Sequence, residues 1–137
     1  MSATLLANLS RTTDPQTTLR RFLALDAVVT TTNGLVYVAA SGPVGRLLGV
    51  GSGLLFGLGV FLVVFGAGVG YLASRREPAT LPVKAVIEAN LAWAVAGLVA
   101  LALWFSPTTA GTVWIPMQAA TVAGFAALQY LALRARG

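Results

Sequence analysis

The sequence predicts an all-α membrane protein, a bundle of four transmembrane helices. Composition, hydropathy and span length each point there. Of 137 residues, 57% are hydrophobic and only 9% are charged, against about 25% charged in a typical soluble domain. Mean hydropathy is +0.82. Apolar stretches at about 19–40, 52–74, 82–105 and 111–134 each meet the roughly 20 residues needed to cross a bilayer. The 15 glycines agree, because glycine is commoner in membrane helices than in soluble ones. Those spans and short loops fill 15–137 as one transmembrane domain.

Residues 1–14 read as a cytoplasmic or interfacial segment. Met1–Thr13 makes a poor signal peptide: Leu5–Leu9 is short, Asn8 breaks it, and no basic n-region precedes it. Asp14-Pro15 then starts the first helix, with Asp as N-cap and Pro at the first helical position. Ser41-Gly42-Pro43 stops that helix, and 44–50, with Arg46, reads as a short interfacial connection.

The second span contains no charged residue and is rich in glycine. Gly49, Gly53 and Gly57 are spaced by four, as are Gly66 and Gly70. Small residues at this spacing let helix backbones approach closely, which predicts tight packing and self-association. Arg75-Arg76-Glu77-Pro78 ends the span. Pro82 opens the third, and Ser106-Pro107 closes it. In the fourth, Pro116 either begins the helix or interrupts its first turns.

The nine basic residues divide unequally. Arg11, Arg20, Arg21, Arg75, Arg76, Lys84, Arg134 and Arg136 fall on one side, and Arg46 alone on the other. The positive-inside rule therefore predicts both termini in the cytoplasm of a bacterial inner-membrane protein. Net charge is +5, and the same clustering at span ends explains it without nucleic acid. Tyr37, Trp104 and Trp114 near the outer boundary, and Phe22, Tyr71 and Tyr130 near the inner one, fit aromatic belts. Tyr71-Leu72-Ala73-Ser74-Arg75 echoes Tyr130-Leu131-Ala132-Leu133-Arg134, Asp26-Ala27 echoes Glu88-Ala89, and Gly34-Leu35-Val36 echoes Gly97-Leu98-Val99. This is either a parallel two-helix repeat or chance among common apolar residues.

Chemistry has few carriers. With no Cys and no His, disulfide exchange, histidine-held haem and the usual zinc and copper sites are excluded. No nucleophile–base pair or phosphate-cradling loop is visible. The expectation is no enzyme, no cofactor and no metal.

What stands out is a polar stripe on the first span. Asp26, Thr30, Asn33 and Tyr37 recur at i, i+4, i+7 and i+11 and share one helix face. Such a stripe must face protein or water, not lipid. Asp26 lies about 7–9 Å along the helix from Arg20 and Arg21, and a charge there costs roughly 2.5–3.5 kcal/mol on insertion scales. Asn90, Gln129, Lys84 and Arg134 are its partners by depth. It is either a proton- or cation-binding carboxylate or a packing hydrogen bond.

Glu88 has Lys84 one turn before it, for an ion pair near the interface. Trp93, near the midplane, lines a pocket with Asn90 or fills the core. Trp114, Gln118, Thr121, Phe125 and Gln129 form a stripe on the fourth span. With the first it outlines a narrow polar path.

The stretches LDAVVTTTNGLVY, VIEANLAWAVAGL and SPTTAGTVWIPMQAATVAGFAALQYLAL resemble small bacterial four-helix integral membrane proteins with an acid early in the first span and an Asn/Trp pair in the third. A looser likeness is to DoxX-type proteins. The resemblance implies the four-helix fold and no particular chemistry. Small multidrug exporters also carry an acid in the first of four helices, but their further motifs are missing here.

Two functions are expected. One is binding or transport of a small lipophilic or cationic molecule, proton-linked through Asp26. The other is a non-catalytic accessory or scaffold subunit of a larger membrane complex. The expected partners are membrane lipids and a second copy or another membrane protein.

Overall fold

The computed structural model describes residues 15–103 and 108–136. They form α1 (Pro15–Ala39), α2 (Ser41–Leu48), α3 (Ser52–Ser74), α4 (Thr80–Leu103) and α5 (Thr109–Arg136). Four of these, α1, α3, α4 and α5, are long and apolar enough to cross a membrane. The molecule is a helical bundle of a multi-pass membrane protein. Large apolar side chains cover its outside, including Val28, Val64, Leu81 and Leu103, as a lipid-facing surface requires. Met1–Asp14, Trp104 and the Ser106-Pro107 stop lie outside the described residues.

The closest packing joins α1 to α3. A Cβ on Gly34 would lie 2.8 Å from the Gly59 carbonyl oxygen and 2.8 Å from the Val63 nitrogen. One on Gly59 would lie 2.8 Å from the Gly34 carbonyl oxygen. At Gly66 a Cβ would overlap the Thr31 hydroxyl. Without side chains at these points the two backbones touch, gaining dispersion contacts that lipid cannot replace.

Of the glycines expected to pack closely, Gly66 lies in this seam and Gly53, Gly57 and Gly70 do not. Gly53 and Gly57 have open space where a Cβ would go, and Gly70 makes only ordinary contact, 3.6 Å from Ala27 Cβ. Four-residue spacing shows that small residues share a face, not which face meets a neighbour. The buried face of α3 carries Leu55, Gly59, Leu62, Gly66 and Val69.

The expected connection at 44–50 is largely helix. Ser41-Gly42-Pro43 does end α1, at Ala39, but α2 restarts at Ser41 after Ala40 leaves helical geometry (φ −129°, ψ 36°). Pro43 falls in the first turn of α2, where helix N–H groups have no intrahelical partner. Gly49 closes α2 in the left-handed region at φ 75°, its N–H donating to the Gly45 carbonyl, a geometry that favours glycine.

Thr108 joins this end together. Its hydroxyl accepts from the Gly111 N–H at 3.2 Å, as an N-cap for α5. Its N–H donates to the Leu48 carbonyl at 3.3 Å, and its hydroxyl donates to the Leu47 carbonyl. The α5 helix therefore begins at Thr109, ahead of Pro116, which lies inside it.

The opposite, basic end is tied by arginines. Arg20 Nε donates to the Ala73 carbonyl at 3.0 Å, where free carbonyls end α3. Arg136 donates to Gln16 Oε1 at 2.8 Å, to the Pro78 carbonyl at 2.6 Å and to Thr80 Oγ1 at 3.0 Å. One guanidinium thus links α1, the α3–α4 turn and α5.

The bundle is lopsided. α1 packs on α3 and on α5, and α4 packs on α5, but α3 and α4 barely touch. A two-fold repeat would match the α1–α5 interface with an α3–α4 one, and would treat Asp26 and Glu88 alike. Asp26 is buried and Glu88 is exposed. The gap between α3 and α4 positions the site.

Candidate functional site

Two polar clusters bridge α1 to its neighbours. The first centres on Asp26, which is 1% exposed. Thr30, one turn along α1, donates to Asp26 Oδ1 at 2.8 Å. Asn90 of α4 and Gln129 of α5 both donate to Oδ2, at 2.8 Å and 2.7 Å. Asn90 Nδ2 also donates to Gln129 Oε1 at 3.2 Å. Asp26 is thus an acceptor with three donors from three helices, and no Lys or Arg joins it among the described residues. Lys84 and Arg134, at suitable depth by sequence, instead line a groove at the basic end with Glu88.

The second cluster lies further along α1, toward α2. Trp114 Nε1 donates to the Tyr37 hydroxyl at 2.8 Å, and that hydroxyl donates to Gln118 Oε1 at 3.0 Å. Tyr37 is 4% exposed, so it belongs to the core and not to an aromatic belt. Its hydroxyl finds both partners on α5, one turn apart. Tyr71 and Tyr130, by contrast, are exposed near the basic end.

Two cavities adjoin these clusters, the smaller between them and the larger beside the second, toward α2. The smaller, about 40 Å³, is lined by Thr30, Asn33, Asn90, Gln118 and Thr121, with Phe61, Phe65, Trp93 and Phe125 among its apolar walls. The larger, about 430 Å³, is lined by Leu54, Leu55 and Leu58 of α3, Trp93, Ala96, Gly97 and Ala100 of α4, and Ile115 and Ala119 of α5. Tyr37, Trp114 and Gln118 supply its polar edge. Trp93 and Gln118 line both cavities and so stand between them.

The larger cavity occupies the place where α3 and α4 fail to pack. What spans the gap is an aromatic stack: Phe61 of α3 lies on Trp93 of α4 with ring centroids 5.8 Å apart and planes 8° from parallel. Phe65 continues it, 5.9 Å from Phe61. Phe61 is 51% exposed, so the stack borders the lipid-facing surface.

The structure brings together Asp26, Thr30, Asn90 and Gln129, and separately Tyr37 and Gln118. Asn33 and Trp93 line the smaller cavity, and their side chains form no hydrogen bond among the described residues. The expected Glu88–Lys84 ion pair is not formed; Glu88 makes no hydrogen bond or ion pair among the described residues. Both side chains are exposed, and exposed pairs in this order on a helix gain too little to hold two side chains together.

The continuous polar path is interrupted. Asp26 is enclosed by its donors and lines neither cavity. No cluster of metal-ligating residues occurs among the described residues.

The chain matches no known protein family, curated protein or solved structure.

Sequence reasoning missed Phe61, Phe65, Leu58 and Ile115. In a span, an apolar residue that lines a cavity looks the same as one that faces lipid. The one available signal was geometric: Phe61 lies on the α3 face between Gly57 and Val64, away from the Gly59–Gly66 seam.

Proposed function

We propose that this chain binds a small lipophilic molecule in the larger cavity, which it reaches from the lipid between α3 and α4. The observation that carries the proposal is the cavity itself: about 430 Å³, within the ~300–1,000 Å³ range of small-molecule sites. It has apolar walls and a few polar groups at one edge, the composition such sites use for burial and orientation. Missing α3–α4 packing is the entrance. Binding is favoured over proton-linked transport because Asp26 is closed off by Thr30, Asn90 and Gln129.

The charge pattern supports placement in a bacterial inner membrane with both termini cytoplasmic. In that orientation the larger cavity lies in the outer half of the bilayer.

A second reading, an accessory subunit of a membrane complex, draws on the outward face of α3, where Gly53, Gly57 and Gly68 have nothing within 4 Å of an added Cβ.

Native mass spectrometry of protein released gently from detergent micelles tests binding. The proposal expects a retained apolar adduct of one ligand per chain. Bare protein at the mildest activation that removes detergent would contradict it.

A further inference from the structure

The polar groups that line the smaller cavity are only partly used. The Asn33 side chain forms no hydrogen bond among the described residues. Gln118 accepts through Oε1 and leaves its Nε2 free. Asn90 donates twice through Nδ2 and leaves Oδ1 without a donor. No enclosed side-chain nitrogen or oxygen lacks a partner among the described residues, so these free atoms are accessible ones, and polar groups accessible within an apolar span suit this space to a polar guest. At about 40 Å³ it admits only a small one, since a single water needs roughly 10–15 Å³ on this measure.

Its charge environment is one-sided. Among the described residues, no Lys, Arg, Asp or Glu lines either cavity. Behind its wall, however, stands Asp26, hydrogen-bonded to two wall residues, Thr30 and Asn90. That carboxylate is buried in a membrane span with no cation among its partners in the described residues. A positive group in the small cavity would sit one side chain away and offset the charge through a medium of low dielectric. A negative group would be repelled and would find no cationic partner.

We propose that the ligand is a lipophilic cation with a small head: an apolar body in the larger cavity and a primary ammonium in the smaller one. It would pass between Trp93 and Gln118, with Asn33, Asn90 and Gln118 as the polar lining around the head. An ammonium offers three donors and no acceptor, which suits Asn33 Oδ1 and Asn90 Oδ1. A trimethylated head is too large and has no N–H. This proposal rests on the lipophile-binding reading and adds the identity of the head.

Competition binding in lipid nanodiscs tests it, with brominated dodecanol as the tryptophan-quenching reporter and empty nanodiscs to correct for partitioning. The competitors are dodecylamine, dodecanol, dodecanoate and dodecyltrimethylammonium at neutral pH. Dodecylamine is expected to compete about tenfold better than dodecanol, the factor that ~1.4 kcal/mol gives, and dodecanoate and the trimethylated amine worse than dodecanol.

Asp26→Asn should bring dodecylamine level with dodecanol while the reporter still binds. If that variant fails to fold, Asn33→Leu decides, because Asn33 holds nothing together. It should fill the small cavity and abolish the amine preference. Equal competition by all four heads in the wild type would overturn the head assignment and leave the apolar site standing. Absence of saturable reporter binding would overturn both.

Discussion

Gln129 Nε2 donates to Asp26 Oδ2 at 2.7 Å across 103 residues of sequence. With Asn90 on the same oxygen at 2.8 Å, this fixes the depth of α1 against α4 and α5. In a membrane, apolar side chains do little to set register between helices, because lipid is as apolar as they are. The carboxylate therefore acts first as a positional lock.

Asp26→Ala leaves the Asn90 and Gln129 amides without their shared acceptor. The expected loss is about 2 kcal/mol, within the ~1–3 kcal/mol cost of an orphaned buried polar group. It should appear as a lowered melting temperature in detergent, followed by circular dichroism. Asp26→Asn, which keeps an acceptor oxygen, should lose less.

The seam between α1 and α3 gives a paired test. Gly59→Ala places a Cβ 2.8 Å from the Gly34 carbonyl oxygen and must push the helices apart. Gly57→Ala meets nothing and should stabilise by up to about 1 kcal/mol through helix propensity. Melting temperatures moving in opposite directions would support the seam. Equal losses would instead mark Gly57 as a packing position.

Tyr37→Phe removes both an acceptor for Trp114 and a donor to Gln118. The expected cost is about 0.5–1.5 kcal/mol per lost bond. Trp114 emission should also shift as its indole loses its partner. A belt tyrosine at the interface would show neither change.

Much of the scaffold was legible in the sequence. Span number follows from hydropathy. The Asp26–Thr30–Asn33–Tyr37 stripe follows from helical periodicity, and Asn90 and Gln129 as partners of Asp26 follow from depth. What could not be read is which apolar faces meet. Gly53–Gly57 and Gly59–Gly66 both offer small residues, and only three-dimensional packing selects the second. The cavity was illegible for the same reason: Leu54, Leu58 and Ile115 look like any lipid-facing residue, and a missing α3–α4 contact leaves no mark on composition. Tyr37 looked interfacial because its position near a span end says nothing about Trp114 and Gln118 facing it from α5.

The central claim, that the gap between α3 and α4 is a ligand site, is tested most directly by filling it. Gly97 lines the larger cavity, and a Cβ there would meet only Ile115 Cγ2, at 3.9 Å. The first added atom is therefore accommodated at ordinary contact distance, and Gly97→Leu should extend from it into ligand space. Tryptophan quenching by brominated dodecanol in nanodiscs is the measurement. The prediction is saturable quenching in the wild type and its loss in Gly97→Leu at an unchanged melting temperature. Equal saturable quenching in both proteins would contradict it.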